Sequence, residues 1–203
     1  MLFINPLTIK VNNMKKISVV LGIVSLTLLS ACAPVMVGGA VVSGITVAND
    51  RRSAGQVIDD KIISAQVRKE IHKAIKNDKH IKVMTYNGVV LLVGETENQS
   101  DKIKAEDTAA ERNGVVRVIN ELKEAIPTDI ERRTKDSYIT SKAKSALLTV
   151  KLDGFNPTRV RIMTTRGVVY LMGKVTKQEA EDVVEKIRNL RGVKRVVKVF
   201  EYI

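Results

Sequence analysis

The chain of 203 residues carries 34 Lys and Arg against 22 Asp and Glu, a formal charge of +12. Aromatic residues make up 3% of it, Trp is absent and Cys occurs once. Ring platforms for sugars or stacked bases are therefore scarce, and a disulfide framework or thiolate metal cluster is excluded. The excess charge calls for an anionic partner.

Lys15 and Lys16 precede an apolar run, Ile17 to Leu29, rich in Val, Leu, Ile, Gly, Ser and Thr, which closes on Leu29-Ser30-Ala31-Cys32. A basic start, a short apolar stretch and small residues at the cut make residues 1–31 a secretory signal. The run is too short for a spanning helix, which needs about 20 apolar residues. Met14, followed by the two lysines, is the better start, and residues 1–13 read as an extension upstream of it. Leu29 to Cys32 resembles the lipobox of bacterial lipoproteins. That resemblance implies cleavage before Cys32, then diacylglycerol on its sulfur and an acyl chain on its new amino group. The alternative is an ordinary signal peptide that leaves an unmodified thiol. Export in either case removes cytosolic functions.

Residues 32–56 are a tether. Ala33 to Ala48 is apolar but broken by Pro34, Gly38, Gly39 and Gly44, and Asn49 to Gln56 is polar and turn-rich. Charge is divided unevenly beyond the signal. Ala33 to Asp129 is neutral, with 14 basic and 14 acidic residues, whereas Ile130 to Ile203 has 17 against 8. The whole excess of the exported chain lies in its C-terminal half.

The remainder is an internal repeat. Asn87-Gly88-Val89-Val90-Leu91-Leu92-Val93-Gly94 matches Arg166-Gly167-Val168-Val169-Tyr170-Leu171-Met172-Gly173 at an offset of 79. Asn113-Gly114-Val115 matches Arg191-Gly192-Val193 at 78, and Ile63, Val67 and Ile71 match Ile139, Ala143 and Leu147 at 76. The spacing predicts a first helix in each copy, along Ile63 to Ile75 and Ser137 to Val150. An alternating strand follows, then a hairpin turn at Asn87-Gly88. Next comes an apolar central strand, Val89 to Val93 or Val168 to Met172, ended by Gly94 or Gly173. A second helix runs over Gln99 to Arg112 or Lys177 to Arg191, with Gly114 or Gly192 at its stop, and a last strand closes the copy. The fold class is α+β, two tandem α-β-β-α-β units over residues 57–127 and 128–203. Each has a three-stranded mixed sheet covered by two helices, a small core that gains from packing on its twin.

The pattern Gly-Val-Val-x-Leu-x-Gly followed by Gly-Val-x-x-Val, carried by Gly88, Gly94 and Gly114 and by Gly167, Gly173 and Gly192, resembles the BON domain of bacterial envelope proteins. Two such domains behind a lipobox are similar to outer-membrane lipoproteins of Gram-negative bacteria. The resemblance implies a non-catalytic, periplasm-facing protein that supports outer-membrane integrity, with no cofactor beyond the acyl groups on Cys32. It also implies that the second domain docks on anionic phospholipid such as phosphatidylglycerol through its first helix. Ala33 after the cysteine, where related bacteria use Asp for inner-membrane retention, implies sorting outward.

The residues bear on this independently. Outside its core stripe the helix from Ser137 carries Tyr138, Ser141, Lys142, Ser145, Leu148 and Thr149, with Lys144, Lys151, Arg132 and Arg133 beside them. An outward Tyr and Leu among cations suit a shallow interfacial helix. The alternative packs Tyr138 and Leu148 on the first domain and leaves the lysines solvated. His72 and His80 have no cysteine to join them as metal ligands, and Glu179, Glu181, Asp182 and Glu185 read as a charged outer helix face. A second functional class is a periplasmic adaptor for outer-membrane assembly or division proteins. Nucleic acid is disfavoured by export and by scarce aromatics.

Overall fold

The computed structural model describes residues 50–203, together with the strands β1 (Met36–Val37) and β2 (Ala40–Val41), an antiparallel pair with Met36 opposite Val41. The signal, Cys32 and most of the tether lie outside the described residues. The first repeat contains α1 (Ala54–Ala74), β3 (Lys82–Tyr86), β4 (Val89–Thr96), α2 (Gln99–Ala110) and β5 (Arg117–Glu124). The second contains α3 (Ile130–Leu147), β6 (Val160–Thr165), β7 (Val168–Val175), α4 (Lys177–Arg188) and β8 (Arg195–Tyr202), with a 3-10 turn at Pro157–Arg159 before β6.

Both sheets have the apolar strand in the centre, β3-β4-β5 and β6-β7-β8. The hairpin partner is antiparallel, with Thr85 opposite Val90 and Thr164 opposite Val169. The strand after the second helix is parallel, with Leu91 opposite Ile119 and Tyr170 opposite Val197. The predicted α+β fold, two mixed three-stranded sheets each with two helices, is the one observed.

Several boundaries differ from the sequence expectation, among them the start of α1 at Ala54, nine residues before Ile63, where Ser53 caps it. Helix α3 begins at Ile130, seven residues before Ser137, because Asp129 caps it with a carboxylate oxygen 2.8 Å from the Arg132 amide. Gly94 and Gly173 do not end the central strands but lie inside them, since β4 and β7 continue to Thr96 and Val175. The reason is a close approach. A Cβ on Gly94 would stand 1.8 Å from the His80 carbonyl oxygen, and one on Gly173 2.4 Å from that of Arg159. The second helices also stop early, at Ala110 and Arg188, leaving Gly114 and Gly192 in the turn beyond.

Each hairpin turn is held from below by a buried aspartate. Asp60 accepts the Asn87 and Gly88 amides at 2.8 and 2.9 Å, and Asp136 accepts those of Arg166 and Gly167, both at 2.8 Å. Both central residues of each turn have positive φ, 48° and 72° in the first and 54° and 77° in the second. Their amides thus point inward, to the carboxylate that satisfies them.

The described residues from 50 to 203 form one compact unit, because the helices cover only one face of each sheet. The bare faces pack together, Met84, Tyr86, Leu91 and Val93 of the first repeat with Tyr170 and Met172 of the second. The order of layers is helices, sheet, sheet, helices. A local twofold relates the halves. Lys82 donates to the Thr164 carbonyl at 3.0 Å, and Arg161, 79 residues after Lys82, donates to the Thr85 carbonyl at 3.0 Å. The strands of the two sheets run in opposite senses, so Tyr86, beside the first turn, accepts from the Lys174 amide near the end of β7. Arg166, in the second turn, reaches Glu95 near the end of β4.

The approach to α1 fastens both repeats. Arg52 pairs with Asp50 at 2.6 Å and Asp60 at 2.5 Å and lies over the Tyr86 ring at 3.9 Å. Arg51 crosses to the second repeat and grips Glu179 at 2.5 Å, where Arg159 also approaches. Glu179 therefore does not belong to a charged outer face; it is buried and closes the capping box of α4 with Thr176.

Burial opposes ionisation of Asp50 and of Glu179. At Asp50 it is overcome by hydrogen bonds and charge from Arg52, and at Glu179 by the hydrogen bonds of Arg51 and the Thr176 amide and the charges of Arg51 and Arg159. Both carboxyls are thus held below their ordinary values. A depressed carboxyl stabilises above its unfolded value, about 4 for Asp and Glu, and that contribution is lost as pH falls through the folded value. The melting temperature should be level from about pH 7 to 5 and fall below about pH 4, with a shallower fall in Arg51→Gln. Asp136→Ala, which leaves two buried amides without an acceptor, should cost about 2–4 kcal/mol in urea unfolding.

Candidate membrane-contact site

Helix α3 buries Asp136, Ile139, Ala143 and Leu147 against its own sheet. The opposite side is fully outward. Tyr138 is 63% and Leu148 74% exposed, so neither packs on the first domain. Ile130, which the helical periodicity does not single out because the core stripe starts later, is 74% exposed. It lies 18 positions before Leu148, five turns and about 27 Å along the same line of the helix. The signal that locates it is Pro127 followed by the capping residue Asp129.

Between these ends the outward strip is Thr134, Ser137, Ser141 and Ser145, with Tyr138 and Thr149 along one margin. Its one charge is Glu131 at that margin, paired with Lys135 at 2.6 Å. Several hydroxyls are already satisfied by the helix itself. Thr134 donates to the Ile130 carbonyl at 2.9 Å, Ser137 to that of Arg133 at 2.9 Å and Ser141 to that of Ser137 at 3.1 Å. Just past the helix, Thr149 donates to the Ala146 carbonyl at 2.8 Å. A hydroxyl with an internal acceptor costs less to take out of water than one without.

Cations border the strip on both sides, Lys135 and Lys142 along one and Arg133 and Lys144 along the other, while Arg132 lies one turn before Asp136 on the line of the core stripe. The Lys142 ammonium stands 5.4 Å from the centre of the Tyr138 ring. The arrangement is an uncharged, apolar-tipped ridge between two basic rows, which suits a bilayer interface. Helix α1 offers no such ridge. At the positions equivalent to Ser137 and Ser145 it has Lys61 and Lys69, charges along the middle of the strip, and at that of Leu148 it has the polar His72.

Of the residues expected from sequence, the structure brings Tyr138, Ser141, Lys142, Ser145, Leu148 and Thr149 to this one side. It adds Ile130, and it places Arg191 and Lys194, from the turn between α4 and β8, beside Tyr138 and Lys142. Sequence reasoning missed those two because the turn lies some fifty residues downstream of the helix and shares no periodicity with it. Cys32 is outside the described residues. His72 pairs with Asp78 at 3.0 Å and His80 stands 3.6 Å from Glu95. Among the described residues no cluster of three or more His, Cys, Asp or Glu is arranged to hold a metal, and no helix is long and apolar enough to cross a membrane.

Residues 59–125 and 135–203 each match the family described as BON domain. The chain belongs to the BON domain family. It is 33% identical over 193 residues to the outer membrane lipoprotein DolP of Haemophilus influenzae, covering 94% of this chain and 97% of that protein. It is 35% identical over 156 residues to a 21 kDa hemolysin of Actinobacillus pleuropneumoniae, covering 76% and 79% of the two chains. To the osmotically-inducible protein Y of Escherichia coli strain K12 it is 33% identical over 160 residues, covering 76% and 78%.

The outward strip of the second BON domain carries no packing duty. Tyr138→Ala and Leu148→Ala should each shift the urea unfolding free energy by no more than about 0.5 kcal/mol; a contact with the first domain would make the loss several times larger.

Proposed function

We propose that this BON protein is an outer-membrane lipoprotein facing the periplasm, anchored through acyl chains on Cys32, whose second domain binds anionic phospholipid and supports the integrity of the membrane. The lipobox and the similarity to an outer-membrane lipoprotein over 94% of the chain support the anchor and its location. One acyl chain gives only marginal attachment and several give firm anchoring. A protein-based contact would then set where in the membrane the protein resides, more than whether it stays there. The role is one of binding, without catalysis.

The observation that carries the phospholipid reading is the ridge on α3. Its large side chains, Ile130, Tyr138 and Leu148, can enter the acyl boundary while the basic rows meet phosphates. Each cation near an anionic surface contributes about 1 kcal/mol, and in the first domain the equivalent strip is itself interrupted by Lys61 and Lys69. An adaptor for envelope proteins would not need cations on both sides of an uncharged strip.

The mature chain carrying Cys32→Ala, and so without acyl groups, should float with vesicles containing phosphatidylglycerol and stay unbound with pure phosphatidylcholine. Tyr138→Ala combined with Lys142→Glu should weaken flotation at least about tenfold, from about 2 kcal/mol of reversed charge plus the lost ring. An unlipidated chain that ignores both vesicles at low salt would refute the reading. The test uses both domains because an isolated second domain would expose Tyr170 and Met172.

A further inference from the structure

The repeat makes each domain a control for the other. Beside the first hairpin turn, a groove is walled by Gln56, Asp59, Ile62, Gln66, Asn113 and Val116. The groove beside the second turn is walled by Arg132, Lys135, Tyr138, Lys142, Arg191 and Lys194. These are the same six positions, offset by 76 along the helix and by 78 in the turn after the second helix. The floor is retained as well: Asp60 and Gly114 in one, Asp136 and Gly192 in the other. Shape is kept while every wall position changes, and five cations stand where the twin has none.

The charge is available to a ligand. The carboxylate oxygens of Asp136 are engaged by the hairpin amides. Lys135 has Glu131 as partner, but among the described residues no carboxylate pairs with Arg132, Lys142, Arg191 or Lys194. Arg191 and Lys194 come from a different element than the helix, so the cations enclose a volume instead of lining a single row. Guanidinium and ammonium groups converging from two walls are suited to the oxygens of a phosphodiester, through charge-assisted hydrogen bonds.

We propose that this groove is a headgroup pocket for the phosphodiester of an anionic glycerophospholipid, with Arg132 and Lys142 on one wall, Arg191 and Lys194 on the other, and Tyr138 against the glycerol. The inference rests on the membrane reading of α3 and deepens it. The ridge sets depth in the bilayer, and the pocket distinguishes a held phosphate from diffuse attraction, which salt screens over about 8 Å at physiological strength.

The test compares two double variants of the unlipidated mature chain, with equal loss of charge, on phosphatidylglycerol vesicles at 150 mM salt. Arg191→Gln with Lys194→Gln removes one wall. Lys177→Gln with Lys198→Gln removes two cations beside α4, outside the groove. The wall variant should lose at least about tenfold in affinity and the control less than about threefold. In the intact chain, soluble glycerophosphoglycerol should shift the amide resonances of Gly167, Gly192 and Lys194, and inorganic phosphate should do so more weakly. Equal losses in the two variants, or an unaffected wall variant, overturn the pocket. So does an equal response to inorganic phosphate and glycerophosphoglycerol, which would mark a general anion site. If Tyr138→Ala combined with Lys142→Glu still weakens flotation in those cases, the membrane reading stands while the pocket falls.

Discussion

Each repeat has a sheet with two apolar faces and helices enough for one. The face bearing Met84, Tyr86, Leu91 and Val93, and its counterpart with Tyr170 and Met172, must be removed from water by something other than the repeat's own helices. Burial of side chains of this size is worth about 1.5–3 kcal/mol each, and packing on the other repeat provides it. The local twofold follows from that contact, as do the reciprocal bonds of Lys82 and Arg161 to carbonyls across the seam. Because the strands run in opposite senses, the two hairpin turns are sent to opposite ends, and with them the two grooves.

Repetition of the scaffold then allows the ends to diverge. The elements that hold each turn are duplicated: a buried aspartate, two inward amides, and a helix hydroxyl on a strand hydroxyl, Ser64 with Thr85 at 2.7 Å and Thr140 with Thr164 at 2.8 Å. What differs is what the scaffold presents. In the first domain Asp60 is also paired with Arg52, next to the residues that lead toward the tether. In the second, the Asp136 carboxylate holds the hairpin amides with no ion-pair partner among the described residues, and cations surround the turn. Arg51 meets Glu179 at the start of α4, the far end of β7 from Gly167, about 26 Å away for an eight-residue strand. The approach from the N-terminal side and the basic groove thus occupy opposite ends of the second domain.

Much of this was legible in the residues. Period-two and period-3.6 patterns, positive-φ turn residues and the offsets of 76 to 79 specify the α-β-β-α-β order, the central strands and the duplication, because local sterics and one-sided burial leave few alternatives. The outward position of Tyr138 and Leu148 followed from the same helical periodicity. Ile130 was missed because the first turns of α3 make little contact with the core, so no apolar repeat announces them; their helix depends on the Asp129 cap. Glu179 was misplaced because its burial depends on Arg51, 128 residues away, a partner that no local pattern reveals.

Sequence by itself determined the two modules, their sheets and helices, and the concentration of positive charge in the second half. These are consequences of local conformational preference and of composition, which act within a segment. Tertiary structure alone decided that the bare sheet faces meet, that glycines inside the central strands admit a neighbouring carbonyl, and that Arg191 and Lys194 stand beside Tyr138 and Lys142. Those outcomes depend on contacts between residues tens of positions apart, which hydrophobic burial selects only once the whole chain has closed.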